Sequence, residues 1–154
     1  MFLALTFGCA GFACSPEEVP QRYQGNLSSV ATTNGVRDQT LLLGGVFVTV
    51  YRTDGVVTRI AYNDTCSVRV TASGTALTPD ANQTCTAQFG RSKFVGPGTV
   101  RVSYVSRTFM PSAVTFTQQP NGRIATTVSG EVSSTSTGVP QTTVLRLSFE
   151  SSGP

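Results

Sequence analysis

Residues 142–150 alternate strictly when the chain is drawn extended: Leu145, Leu147 and Phe149 fall on one side, and Val144, Arg146, Ser148 and Glu150 on the other. Successive side chains of a strand point to opposite faces, whereas this pattern wound into a helix would scatter its apolar groups around the axis. The same two-residue period recurs along the chain. It runs through Val46, Val48 and Val50, through Cys66, Val68 and Val70, through Cys85, Ala87 and Phe89, through Val100, Val102 and Tyr104, through Val114 and Phe116, and through Ile124, Thr126 and Val128. Turn-forming residues separate these runs: Asn34 and Gly35, Asp54 and Gly55, Pro79 and Asp80, Asn121 and Gly122. Asp-Gly between two alternating runs is a strong hairpin signal, because a type I′ turn requires positive φ at both central residues.

The spacing predicts about nine antiparallel strands, roughly 10 residues apart, with no helical periodicity between them. Thr, Ser and Val supply much of the sequence, and such a composition favours strands over helices. The fold class is therefore all-β, as a barrel or strongly curled sheet, with a β-sandwich as the alternative. Gly44, Gly45 and Gly130 inside long strands are read as bends, and residues 91–98 as a loop. The expected interior is Val48, Val68, Val102, Phe116, Val128, Leu147 and Phe149. A chain of 154 residues supports one such domain.

Composition excludes several chemistries. The chain has no His and only 12% charged residues, so Ser/His/Asp and Cys/His nucleophiles, imidazole metal ligation and the common near-neutral proton shuttle are absent. A net charge of +3 without a basic run does not suggest nucleic-acid binding. Carboxylates remain. Glu131 and Glu150 stand on the last hairpin, and a turn near Gly138 would offset them by about five residues, roughly 16 Å at strand rise. That is beyond the roughly 5 to 9.5 Å of a glycosidase pair. Lys93 follows Ser92 directly, and sequence neighbours seldom converge as a nucleophile and base. No catalytic, cofactor-binding or metal-ligating residue is assigned, and the domain is expected not to be an enzyme.

Residues 1–14 read MFLALTFGCAGFAC and give way abruptly to Ser15, Pro16, Glu17 and Glu18. This apolar stretch is shorter than the roughly 20 residues a membrane-spanning helix needs, and it has the length of a signal-peptide apolar region. Gly11, Phe12, Ala13 and Cys14 resemble the lipobox of bacterial lipoproteins, in which the cysteine becomes the lipidated first residue of the mature chain. Ala13 before Cys14 and the polar stretch after it favour Cys14 over Cys9. The resemblance implies a signal peptide over residues 1–13 and a lipid anchor and tether over residues 14–21; residues 22–154 are then the single β domain read from the strand pattern. It also implies a place in the bacterial cell envelope, at the outer membrane or a periplasm-facing membrane surface, where the non-catalytic β domain is expected to serve a binding, envelope or assembly role; the alternative is a freely secreted β-barrel that binds a small apolar ligand. The expected partners are the membrane, through the lipid, and an envelope protein or acidic glycolipid.

Cys66 and Cys85 remain as an even pair in an oxidising compartment, so a disulfide between neighbouring strands is expected. A zinc site is disfavoured, since two thiolates without His or a CxxC spacing make half a tetrahedral site. Asn26, Asn63 and Asn82 each begin an Asn-x-Ser/Thr triplet, although Asn63 and Asn82 also suit turns in which the side chain bonds nearby backbone.

Overall fold

The structure, a computed structural model, describes residues 16–153. The alternation folds into strands throughout: β1 (Val19–Thr33), β2 (Val36–Thr53), β3 (Val56–Asn63), β4 (Cys66–Ser73), β5 (Ala76–Pro79), β6 (Cys85–Gly96), β7 (Thr99–Phe109), β8 (Ala113–Gln118), β9 (Ile124–Ser136) and β10 (Val139–Ser151). Eight of them close an antiparallel barrel in the order β1-β10-β9-β8-β5-β4-β3-β2, and β6 pairs only with β7 in a separate two-stranded sheet. The barrel is thus a meander with one hairpin inserted between β5 and β8. At that insertion the wall is thinnest, with a single ladder pair, Leu77 opposite Val114, joining β5 to β8.

Three hairpin turns share one geometry. Asp54 and Gly55 both have positive φ, as do Asn34 with Gly35 and Thr137 with Gly138, the type I′ geometry whose twist matches that of the strands it joins. Opposite Asn26, β2 carries two residues, Gly44 and Gly45, between the pairs Gly25 with Val46 and Leu27 with Leu43. This β-bulge uses the left-handed φ of Gly45. Gly130 does not bend its strand: the β9–β10 ladder runs through it without a shift.

The inward residues of the alternation fill the barrel. Val48, Val68, Val128, Leu147 and Phe149 are fully buried, together with Tyr23, Ile60, Tyr62 and Phe89. An eight-stranded barrel is just wide enough for side chains to fill it. Tyr62 donates to or accepts from Thr126 Oγ1 at 2.7 Å inside this core, and burial pushes its hydroxyl pKa far above the ordinary tyrosine value. The outward face carries Thr, Ser and Arg side chains, so the barrel is apolar inside and polar outside, the reverse of a barrel that spans lipid.

Three expectations change. Val102 is exposed rather than interior, because β7 belongs to the inserted hairpin and its alternation has no barrel to face; Phe116 is only half-buried. Residues 91–98 are not a loop, since β6 runs on to Gly96 and pairs with β7 up to Thr99. Val19, Pro20 and Gln21, expected at the end of a tether, instead lie in β1, where they pair with Arg52, Tyr51 and Val50 of β2. Just before them Glu18 accepts from Arg59 Nη2 at 2.8 Å and Nε at 3.2 Å, and this guanidinium holds its carboxyl below the usual range.

Candidate functional site

The strands of the barrel differ in height. β1 and β2 run for 15 and 18 residues, whereas β3 and β4 run for 8 each. β3 pairs with β2 only from Thr49 to Thr53, so β2 rises above its neighbour with inner-facing residues to cover. The base of the inserted hairpin covers part of them. Cys85, Ala87 and Phe89 point inward and are buried, Ser29 Oγ of β1 donates to the Gln88 carbonyl at 2.6 Å, and Arg107 Nε donates to Gln39 of β2 at 3.1 Å. Cys66 and Cys85 form a disulfide with Cα atoms 4.1 Å apart. The bond does not join sheet neighbours as expected: it pins the start of the hairpin to β4, whose ladder partners are β3 and β5. Beside it Thr86 N donates to the Thr65 carbonyl.

Between the bulged part of β2, the β3–β4 turn and β6 the cover is incomplete and leaves a cleft of about 680 Å³. Its floor is the barrel interior itself, with Leu27, Tyr62, Ala87 and Leu147, and its sides are Leu43, Val46 and Phe47 from β2 and Thr86 and Gln88 from β6. Leu43 and Phe47 are large apolar residues that stay exposed at the rim. The bulge puts them there, because an extra residue in β2 re-aims the chain on either side of it. The Arg22 guanidinium lies 3.8 Å from the centre of the Phe47 ring, which fixes a cation at the mouth. Asn63, Asp64 and Thr65 of the β3–β4 turn close the opposite side. Asn63 Oδ1 accepts from Thr65 N at 2.8 Å and from its hydroxyl at 3.0 Å, the turn role its sequence suggested.

The carboxylates weighed from sequence lie elsewhere. Glu131 stands opposite Val144 and Glu150 opposite Ala125, six ladder positions apart rather than five, or about 20 Å at strand rise. Both are exposed, as is Lys93 on the inserted hairpin. Among the described residues no group of three His, Cys, Asp or Glu side chains comes together to hold a metal ion. Cys14, Cys9 and residues 1–13 lie outside the described residues.

Sequence reasoning did not find the cleft. Arg22, Leu43, Phe47 and Gln88 come from three strands, and only the double glycine of β2 signalled that the wall is irregular there. Comparison with protein-family models, with curated proteins and with solved structures finds no match for this chain.

Proposed function

We propose that the chain is an exported, lipid-anchored envelope protein whose β domain binds a small, largely apolar ligand in the cleft between β2 and β6 and catalyses no reaction. The cleft is the observation that carries this reading. Its volume lies within the roughly 300 to 1,000 Å³ of small-molecule sites, and an apolar floor with a few polar groups at the rim is the usual composition of such sites. Arg22 over Phe47 favours a ligand with an anionic or strongly polar end. Among the described residues the cleft is bordered by one carboxylate, Asp64, so a carboxylate pair cannot act there. Tyr62 on the floor holds its proton well above neutral pH. The disulfide supports export, since such bonds persist in oxidising compartments. The leader and Cys14 support the anchor.

The cleft is tested by titrating the labelled protein with dodecanoate and reading amide and methyl shifts. Saturable shifts should concentrate at Leu27, Leu43, Phe47 and Leu147, Leu43→Glu should abolish them, and Arg22→Gln should weaken dodecanoate while leaving dodecanol unchanged. Absence of saturable shifts, or shifts spread over the outer face, would refute the site. The anchor is tested separately by the intact mass of the mature protein and by fractionation of Cys14→Ser, which should leave the membrane fraction.

A further inference from the structure

The inserted hairpin has two parts with different characters. Its base is packed under the tall wall of β1 and β2, but every described side chain from Lys93 to Val105 is exposed, and Phe94 is 80% accessible. A two-stranded ribbon that leaves the domain and exposes both faces gains nothing for the core, and large exposed apolar groups in such numbers mark an interaction surface.

The order of residues along the ribbon indicates what it meets. Its tip, residues 94–100, reads FVGPGTV and carries no charge. Directly behind the tip Lys93 stands opposite Arg101, and two positions further back Arg91 stands opposite Ser103. Tyr104 follows, 59% exposed. Residues 85–109 contain four cations, Arg91, Lys93, Arg101 and Arg107, and no carboxylate. That exceeds the chain's net charge of +3, so the remainder is close to neutral and the positive field is concentrated on this arm.

We infer that the arm formed by β6 and β7 docks tip first on a bilayer bearing anionic headgroups. Phe94, Val95 and Val100 enter the boundary between headgroups and acyl chains, and Lys93, Arg101 and Arg91 meet the phosphates behind them. From the Lys93 and Arg101 pair to the Pro97 turn the ribbon extends roughly 10 Å, which matches the depth of about 5 to 10 Å at which interfacial elements bury their apolar side. Charge and hydrophobicity are layered by distance from the tip. A groove on an acidic protein would instead ask for one continuous face, whereas here Phe94, Val100, Val102 and Tyr104 sit on the face opposite Arg91, Lys93 and Arg101. The attraction does not depend on the lipid at Cys14 or on the cleft.

The test uses the full chain carrying Cys14→Ser, so that no acyl anchor contributes, with flotation on vesicles of phosphatidylcholine alone and of phosphatidylcholine with phosphatidylglycerol in equal parts. Binding should be at least about tenfold stronger on the anionic vesicles and should fall in high salt. Lys93→Gln with Arg101→Gln, and separately Phe94→Ser with Val95→Ser, should each lower it about tenfold. The barrel-surface pair Arg69→Gln with Arg146→Gln should lower it far less. These side chains are exposed, so an unchanged thermal midpoint confirms that each variant is folded. Equal binding to neutral and anionic vesicles, equal loss in the barrel-surface variant, or self-association through the arm in place of vesicle binding would overturn the inference.

Discussion

Replacing Gly130 by Ala is expected to destabilise the domain by about 1 to 3 kcal/mol, the usual cost of overpacking a core. Gly130 is a buried, inward-facing position of β9, opposite Leu145 in an unbroken ladder, and its backbone lies outside the left-handed region. Alanine is therefore allowed there by its dihedrals, and on strand propensity alone it should help by roughly 0.5 to 1 kcal/mol. The opposing effect is steric. A Cβ at this position would overlap the Met110 carbonyl oxygen, and would lie 2.7 Å from Phe109 Cδ2 and 3.0 Å from the Met110 carbonyl carbon. Two of these atoms are main chain and the third belongs to a buried ring, so relief requires the segment leaving β7 to shift off the barrel. Gly44→Ala is the control: its Cβ would meet only the Asn26 side-chain oxygen at 3.4 Å, and its effect should stay within about 0.5 kcal/mol. Urea unfolding with the disulfide intact reads both. A Gly130→Ala protein as stable as the parent would refute the close passage of Phe109 and Met110 over β9, and an equal loss in Gly44→Ala would show that the effect belongs to strand glycines in general.

Leu147→Ala should cost about 2 to 5 kcal/mol, whereas Val102→Ala should change stability by less than about 0.5 kcal/mol; equal losses in denaturant melts would contradict the placing of β7 outside the barrel. Replacing Cys66 and Cys85 together by Ser should cost roughly 3 kcal/mol for a loop closed over 19 residues, and should raise hydrogen exchange first at Thr86, Ala87 and Phe89. Uniform acceleration across the barrel would argue against a local tether. The Glu18 carboxyl is lowered in the folded state by Arg59, so its contribution is complete above the unfolded value near 4.3 and fades as pH drops through the lowered folded value. Glu18→Gln should flatten the acid limb of the stability curve slightly, by less than about 1 kcal/mol for so exposed a pair; an unchanged acid limb would show that the pair contributes nothing.

The barrel was legible because its strands obey a single rule. An inward residue every second position and turn residues such as Asn34 with Gly35 and Asp54 with Gly55 are local signals, and Val48, Val68, Val128, Leu147 and Phe149 needed nothing more. Val102 shows where that rule stops. The alternation of β7 is as regular as that of β10, but a period of two states only that two faces differ, and which face meets a core depends on a partner sheet many residues away. The projecting ribbon was misread for the complementary reason. Residues 96–98, Gly-Pro-Gly, mark a turn, but Arg91 and Lys93 before it are polar at alternate positions just as an exposed strand requires, and without an apolar inner face they resembled a loop.

The cleft and the arm have one structural origin. A barrel whose wall is tall at β1 and β2 and low at β3 and β4 leaves Leu27, Ser29 and Leu41 facing inward above the low side, and burying them requires a cover from elsewhere in the chain. The insertion between β5 and β8 supplies it, at the place where a single ladder pair already interrupts the wall. Gly90 lets β6 pass close to β2, since a Cβ there would stand 3.2 Å from the Thr40 carbonyl oxygen. The cover needs only the first few residues of β6 and the last few of β7, with the disulfide holding one corner. Where the cover, tied to the β3–β4 turn by Thr86 and Thr65, leaves the bulged part of β2 uncovered, the barrel interior stays open as the cleft, and where the hairpin continues past the wall it has no inner face left to bury. The insertion therefore forms one side of the cleft and the whole of the arm, and shortening the ribbon at its tip should leave the cleft intact, because Thr86, Ala87 and Gln88 are fixed by the barrel and not by the arm beyond them.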